Sequence, residues 1–298
     1  MRYAGELAAL GTALFWSASS NLFTGAGRRI GSQALNRLRL AAACVLLVLA
    51  LLVVRHTAWP ADATRPQLAL LAVSGLVGFV FGDAWYFRSL VILGPGRAAI
   101  LASTAPIFTA LIAWPALHEH PGPLAALGML LTIGGVAWVV GVRTDAAHEH
   151  PEGSVAMGIF AGVLGAIGQA GGYVLSKRAL DSGIDPLSAT VVRVVAATLA
   201  IWLIALARGQ VRDTLAGLAD RRATAFLVGG AFCGPFMGVT LSLAALHWID
   251  AGVAASITAV HPVFTMLVAA RFHGERITPR ALAGAALAVA GVIVLFMR

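Results

Sequence analysis

The sequence predicts an all-α membrane protein with ten transmembrane helices in two inverted five-helix repeats. Its 298 residues are 59% hydrophobic and 11% charged, whereas about a quarter of the residues in a soluble protein are charged. Ten apolar runs each reach the roughly 18 residues needed to cross a hydrocarbon core of about 30 Å. A long segment of the first half also recurs in the second half. An ordinary soluble domain is therefore excluded.

The repeated segment covers residues 98–136 and 254–292. Each copy contains an apolar run with a proline in its middle, a short polar hinge with a glutamate, and a second apolar run rich in small residues. The matched residues, 156 positions apart (262 − 106), include Ala98, Pro106, Phe108, Thr109, Glu119, Gly128 and Gly135 in the first copy and Ala254, Pro262, Phe264, Thr265, Glu275, Gly284 and Gly291 in the second. This pattern is typical of a duplicated pair of membrane helices.

The duplication extends upstream over most of the chain. At or near the same spacing, the matched pairs are Gly78 and Gly234, Gly82 and Gly238, and Arg39 and Arg193. We therefore expect a first repeat over 1–145 and a second over 154–298. Each repeat holds five spans, and an odd number of spans places the two repeats in opposite orientations in the membrane.

The predicted spans follow one another with short connections. They cover residues 4–23, 34–54, 67–91, 97–117, 123–142, 154–176, 186–207, 224–247, 252–272 and 280–297. Residues that favour turns and helix ends separate them, as in Gly94-Pro95-Gly96 and Thr278-Pro279. No connection is long enough for a soluble domain, so any chemistry has to take place within the membrane.

The basic composition and the two cysteines do not point to a nucleic-acid or metal partner. The isoelectric point is about 10.9, but most arginines stand between apolar runs, where they anchor helix ends and meet anionic lipid. Cys44 and Cys233 each lie inside an apolar run and are expected to be small buried hydrophobes. We expect no nucleic-acid partner.

Several residues together resemble the EamA family of the drug/metabolite transporter superfamily. They are Trp16 in the first span, Arg39 and Arg193 early in the second span of each half, and the Ala-Ala-x(6)-Pro-x-Phe-Thr motif that leads to a glutamate and a glycine-spaced helix. The resemblance covers essentially the whole chain. It implies a multi-pass protein of the bacterial inner membrane that exports small metabolites, with four helices of each half around a central cavity and the fifth helix peripheral.

The resemblance and the arginine distribution disagree about orientation. The family usually has cytoplasmic termini. With ten spans, the side that holds the termini carries six Lys and Arg residues and the other side eleven, a bias that favours external termini. We expect the orientation of the family, with both termini in the cytoplasm.

Asp83 is the only acid deep inside an apolar span. A carboxylate there costs about 2.5–3.5 kcal/mol on insertion scales, so it should face a watery cavity or a partner. We predict that it binds a substrate amine or a proton. The alternative is an ion pair with Arg88 or Arg39 that only fixes helix packing. Its repeat position holds Val239, so the acid belongs to one half alone.

His261 and the prolines are the other mid-span candidates. His261 stands before Pro262, where the proline frees a backbone carbonyl, and its repeat position holds Ala105. It is predicted to bind substrate or, with Asp83, to couple transport to protons. The alternative is a neutral histidine that bonds the freed carbonyl. Pro106 and Pro262 are predicted to kink their helices and to permit gating.

A set of aromatic and amide side chains is predicted to line the substrate site. These residues are Trp16, Asn21, Tyr86, Gln169 and Tyr173, together with the neighbouring Trp85. Aromatic rings with a few polar groups suit an amphipathic small molecule. The alternative for the aromatic residues is anchoring at the membrane interface.

The remaining charged residues are given structural roles. Arg39 and Arg193 near span starts are expected to snorkel toward the headgroups, with a gating role as the alternative. Glu119 and Glu275 are expected to complement the N-terminus of the helix that follows each of them. The tripeptides His118-Glu119-His120 and His148-Glu149-His150 would lie on opposite membrane faces, so no metal site and no cofactor are expected.

These observations favour a secondary transporter that exports a small amphipathic metabolite, such as an amino acid or a drug-like compound, by alternating access. No Walker-type loop is present for direct use of ATP. The alternatives are an integral-membrane enzyme or a non-transporting membrane sensor or scaffold, but no set of residues for enzymatic chemistry stands out. The expected partners are the substrate, the bilayer, and a proton or counter-substrate, in a monomer or homodimer.

Overall fold

The computed structural model describes residues 3–144, 154–273 and 278–297. Within these ranges the chain forms helices joined by turns, and no strand occurs. Nine helical segments are long and apolar enough to cross a membrane. The first helix, Ala4–Ile30, is less apolar and is not one of these nine. Its 27 residues are nevertheless more than the roughly 18 that a helix needs to cross a bilayer core. The described chain therefore has ten crossings, which confirms the predicted all-α fold.

The helices are defined as follows. In chain order they are α1 (Ala4–Ile30), α2 (Ser32–Arg55), α3 (Arg65–Gly75), α4 (Asp83–Ala102), α5 (Ala105–Leu117), α6 (Pro123–Thr144), α7 (Val155–Leu180), α8 (Pro186–Ala207), α9 (Val211–Ala216), α10 (Arg221–Ala231), α11 (Val239–Trp248), α12 (Ala251–Thr258), α13 (His261–His273) and α14 (Pro279–Phe296). Two π-helices, Leu76–Gly82 and Phe232–Gly238, join α3 to α4 and α10 to α11. The predicted cap at Thr278 is present, since its hydroxyl accepts a bond from the Ala281 N–H at 3.2 Å.

The third and fourth crossings meet within α4. The sequence predicted a helix end at Gly94-Pro95-Gly96, whereas helical backbone continues through these residues. The chain nevertheless reverses its direction between Ser89 and Leu101. Both residues approach the same point on α7, since a Cβ placed on Gly162 would lie 2.8 Å from Ser89 Oγ and 2.9 Å from Leu101 Cβ. In a straight helix, residues 12 apart would be separated by about 18 Å. The hairpin is therefore a tight reversal rather than an open loop.

The fourth and ninth crossings are interrupted at equivalent positions. Helical structure stops at Ala102 and resumes at Ala105, and it stops at Thr258 and resumes at His261. In each case the proline, Pro106 or Pro262, is the second residue of the new helix, where the N–H groups make no bond within that helix and a proline is tolerated. The interruptions lie where the sequence predicted kinks. Their role in gating stays a prediction.

The π-helices were not predicted from the sequence. They too are 156 residues apart and end at the matched glycines Gly82 and Gly238. The first π-helix packs on α7 with its backbone, since a Cβ on Gly168 would lie 2.7 Å from Gly82 Cα and one on Gly172 would lie 3.1 Å from Gly78 Cα. π-helices are rare and often occur at functional sites. Asp83 is the first residue after this one.

The first helix of each half packs into the other half. Helix α1 lies against α10 to α13, and α7 lies against α3, α4 and α5. Alternating crossings place the start of α1 and the end of α14 on one membrane face, which we call the terminal face. The other is called the opposite face. Because of this exchange, the two inverted halves form one interleaved bundle.

The fifth and tenth crossings, α6 and α14, form a seam of small residues. A Cβ on Gly284 would lie 3.0 Å from Val139 N and 3.1 Å from Gly135 O, and a Cβ on Gly135 would overlap the backbone of Ala288. Membrane helices associate through such close packing, since lipid supplies no hydrophobic drive between them. The neighbouring Gly134 has open space around it.

A polar contact on the terminal face joins the two halves. Glu119 Oε2 accepts a bond of 2.8 Å from the N–H of Ala251, the first residue of α12. The sequence placed this carboxylate at the start of the helix that follows it, α6, whereas it caps a helix of the other half. Burial raises the pKa of Glu119 to about 6, and the Ala251 N–H opposes the rise. The equivalent Glu275 lies outside the described residues.

The seam predicts opposite effects for two adjacent glycines. Gly135→Ala is expected to destabilise the protein by roughly 1–3 kcal/mol, because the new methyl group meets backbone that cannot move aside. Gly134→Ala is the matched control and should be neutral or stabilise by up to about 1 kcal/mol through helix propensity. Thermal unfolding of the purified protein in detergent measures both. Equal unfolding temperatures for the two variants would show that the seam is not tightly packed.

Glu119 predicts a pH dependence of stability. A raised carboxyl pKa means that the folded state holds the proton more tightly than the unfolded state. Its contribution to stability is therefore present below about pH 4.5 and is lost as the pH rises through about 6. Glu119→Gln keeps an acceptor for Ala251 and should flatten the fall in melting temperature over this range. Asp250, Asp181 and Lys177 act on the same carboxyl; an unchanged slope in the variant would assign the pH dependence to other groups.

Candidate functional site

The centre of the first half contains a buried ion pair between Asp83 and Arg39. The side chains are 10% and 8% exposed, and the guanidinium Nη2 contacts Asp83 Oδ2 directly. Gln169 Nε2 donates to the other carboxylate oxygen at 2.9 Å. Of the two partners considered from the sequence, Arg39 is therefore the one observed. Arg88 is exposed and lies over the ring of Trp85 at 5.5 Å.

Arg39 has a full set of partners of its own. Its Nε donates to Asn36 Oδ1 at 2.8 Å, and the rings of Phe23 and Phe87 lie 5.6 and 5.9 Å from its guanidinium carbon. It lies seven residues after the start of α2, about 10 Å below the opposite face. Arg39 is buried in protein. The expectation from the sequence that it snorkels to the headgroups is therefore wrong.

These contacts limit what Asp83 can do chemically. Asp83 Oδ2 already accepts a hydrogen bond from the Arg39 guanidinium, and Oδ1 accepts one from the Gln169 amide. A substrate amine or a proton would have to compete with Arg39 for the carboxylate. Binding of a proton or amine at Asp83 therefore stays a prediction, and it now includes rupture of an internal ion pair.

Arg193, the repeat equivalent of Arg39, has a different environment. It is 2% exposed and lies seven residues after the start of α8, about 10 Å below the terminal face. Its guanidinium carbon is 5.0 Å from the centre of the Phe79 ring. Its Nε is buried without a hydrogen-bond partner. No acid pairs with it in the described part of the chain, where Val239 takes the place of Asp83.

Three hydroxyl groups lie near this arginine. The Tyr173 side chain is next to Ser242 and Thr258 and close enough to Arg193 to interact with it electrostatically. Thr258 Oγ1 is buried and makes no hydrogen bond of good geometry. The second half thus surrounds a lone cation with donors and acceptors that are not fully used.

The two polar groups meet at Gly78 in the first π-helix. Gln169 Nε2 donates to the Gly78 carbonyl at 3.4 Å, and Arg193 Nη2 lies 3.4 Å from the position of a Cβ on Gly78. The ion pair of Asp83 and the free guanidinium of Arg193 therefore flank the same helical turn, where the two halves of the protein meet.

His261 bonds within its own crossing. Its ring interacts with the backbone of Thr258, whose carbonyl is the one that Pro262, four residues later, cannot bond. This contact fits the alternative considered for His261, a neutral histidine that bonds the carbonyl freed by the proline. It links His261 to α12 rather than to Asp83. A role in proton coupling or substrate binding stays a prediction.

The predicted aromatic and amide wall is only partly assembled around this centre. Trp16 Nε1 lies 3.1 Å from a Cβ position on Gly238, against the second π-helix. Tyr86 interacts electrostatically with Asp83 and Arg39. Asn21 instead donates to the Ser17 carbonyl of its own helix at 2.9 Å, which satisfies the amide locally. Trp85 packs on the exposed Phe160 at 6.0 Å.

Sequence reasoning missed several members of the site. Asn36, Phe79, Ser242 and Thr258 are ordinary residues of apolar spans, and nothing in their local sequence distinguishes them. One signal was available in the sequence. The repeat has an arginine at both equivalent positions, Arg39 and Arg193, but it has the acid, Asp83, in the first half only. Among the described residues no three His, Cys, Asp or Glu side chains come together as metal ligands. The tripeptide at 148–150 lies outside those residues.

The ion pair predicts non-additive effects on stability. Arg39→Leu leaves the Asp83 carboxylate buried without its cation and is expected to cost about 3–5 kcal/mol. The double variant Arg39→Leu/Asp83→Leu removes both charges and should recover most of that loss. Thermal unfolding in detergent compares the single and double variants. Additive losses would indicate that the two side chains do not stabilise each other.

Comparison with known proteins agrees with this architecture. The EamA-like transporter family model matches the chain twice, at residues 3–141 and 156–297. An uncharacterized protein of Pseudomonas aeruginosa, PA1977, is 29% identical over 269 residues, which cover 90% of this chain and 85% of that protein. A solved crystal structure whose description gives no function superposes with a TM-score of 0.77 at 17% identity, over 99% of this chain and 96% of its own, and this likeness shows the fold. Since the family match spans both halves, this multi-pass membrane protein belongs to the EamA-like transporter family.

Proposed function

We propose that the protein is a secondary transporter that exports a small amphipathic metabolite across the bacterial inner membrane by alternating access. The observation that carries the proposal is the polar centre at Gly78, which is approached both by Gln169, the amide that bonds Asp83, and by the buried guanidinium of Arg193. Ionisable residues inside the membrane default to a functional hypothesis. In repeat transporters, substrate binds near the midplane at the repeat interface.

The contacts at the two membrane faces are suited to such a cycle. On the terminal face Arg55 donates to Asp185 at 2.6 Å, and on the opposite face Arg29 donates to Asp220 at 2.6 Å. Both ion pairs join the first half to the second, and both are partly exposed. Exposed ion pairs contribute little to stability, so these two contacts can separate at small cost. Each face would open in turn to expose the centre.

The asymmetry of the two halves supports a division of roles. The shared elements, such as the proline interruptions and the π-helices, supply the moving scaffold. Asp83 and His261 occur in one half only and are assigned to coupling and affinity. Trp16 and Tyr86 are assigned to the apolar part of the cargo. The cytoplasmic orientation of the termini remains part of the proposal.

The two rival functions make different demands on the site. A membrane enzyme needs a nucleophile, paired acids or a metal near an interface, whereas the charged groups described at the centre are an ion pair and an arginine without an acid partner. A sensor or scaffold would bind ligand without moving it. Counterflow of a pooled, labelled metabolite extract in proteoliposomes separates transport from both rivals, and its absence under every gradient tested would refute the proposal.

Asp83→Asn is expected to abolish gradient-driven transport while the protein still folds and binds some cargo. The amide keeps the shape of the side chain but can neither release a proton nor hold the charge of Arg39. Asp62→Asn is the matched control, since Asp62 pairs with Arg55 in an exposed loop and its loss should leave transport within about twofold. Transport by proteoliposomes across a pH gradient measures both. Wild-type rate and pH dependence in Asp83→Asn would reduce the residue to a packing element.

A further inference from the structure

We propose that Arg193 binds the carboxylate of the cargo, so that the transported metabolite is a small amphipathic carboxylate. The inference rests on the proposed function and specifies the substrate class of the same central site. It is drawn from Arg193, which is the least exposed of the described buried arginines and has a buried Nε without a partner.

The charge balance at the centre is uneven. Arg39 and Asp83 neutralise each other in direct contact. Arg193 contributes a further positive charge at 2% exposure, and no acid of the described chain contacts it. A buried charge without a counter-ion is strongly unfavourable. A protein that keeps one gains a site in which an anionic ligand supplies the missing charge.

The unused hydrogen-bonding groups suit a carboxylate. Arg193 Nε is buried and unpartnered, and the Tyr173 hydroxyl, which interacts with Ser242 and Thr258, is close enough to Arg193 to interact with it electrostatically. A carboxylate offers two oxygens with about four acceptor sites, and a guanidinium edge with adjacent hydroxyl donors can fill them. A phosphate would bring up to two negative charges to this single cation, a poorer match.

The aromatic neighbour determines how the guanidinium is presented. The guanidinium carbon lies over the Phe79 ring at 5.0 Å, and Nε is the nitrogen that is buried without a partner. Arginine binds carboxylates through the edge of its guanidinium group. The same ring gives the site an apolar wall, so the anionic end and the apolar body of a cargo can be held together.

The competing explanation is that Arg193 only packs on Phe79. In that case the charge would serve no ligand, and a neutral side chain of similar length would leave binding unchanged. The cargo hypothesis requires the charge itself. Removal of the unpaired charge should also leave the melting temperature equal to or above that of the wild type, so that a loss of binding does not reflect a loss of folding.

The test uses the purified full chain in detergent. The probes are the twenty amino acids, benzoate and phenylacetate, each compared by thermal shift and by direct binding with the amide in which an uncharged group replaces the carboxylate. We expect at least one carboxylate to raise the melting temperature and to bind at least tenfold more tightly than its amide. Arg193→Gln should weaken that binding by about 10- to 100-fold, and Arg193→Lys should recover part of it. Arg88→Gln, which removes an exposed arginine from an aromatic ring, is the control and should bind as the wild type does.

Two results would overturn the inference. One is that no probe carboxylate binds better than its amide. The other is that the Arg193→Gln variant binds the preferred probe carboxylate as tightly as the wild type does. Uptake of the same probes by proteoliposomes keeps the two proposals distinct: transport of neutral or cationic compounds that is insensitive to Arg193→Gln would refute the carboxylate site alone, whereas Arg193-dependent binding without any transport would refute the transporter alone.

Discussion

The architecture depends on direct backbone contact between helices at glycine. Lipid provides no hydrophobic drive for helix association, so membrane helices have to approach closely to gain packing energy. The approach of Gly82 and Gly78 to α7 brings Asp83 within reach of Gln169, and the contact of Gly75 with the Arg193 backbone places that guanidinium beside the same π-helix. A methyl group on Gly75 would overlap the Arg193 carbonyl, and one on Gly82 would press on the α7 backbone, so either would push the two halves apart. The polar centre would then lose the contacts that hold it.

The repeat made much of this fold predictable. Matched prolines locate the interrupted helices, and small residues locate the seam between α6 and α14, because both effects act through the backbone at a fixed position. The partners of side chains were less accessible. Glu119 caps a helix 132 residues away rather than its own, and Asn21 satisfies its amide on its own helix. The choice between Arg39 and Arg88 for Asp83 depended on which helix faces the first π-helix, which spacing along the chain does not specify.

The two arginines show how duplication and divergence differ in their physical consequences. Both lie seven residues into their helices, at similar depths below opposite faces, because the halves are inverted. Asp83 neutralises one, and Val239 leaves the other unneutralised. A symmetric scaffold therefore carries an asymmetric charge distribution. A single acid present in one half and absent from the other is enough to separate an internal ion pair from a candidate ligand site.

The position of Arg193 also connects binding to motion. Its contacts come from both halves, with Phe79 from the first and Tyr173 from the second. A ligand shifts a conformational equilibrium only as far as its affinities for the two conformations differ. In the proposed cycle, rocking of the halves would move Phe79 relative to Tyr173, so an anion at Arg193 would be bound with different affinities in the two end states. Cargo bound at this arginine would therefore bias the equilibrium between the two end states.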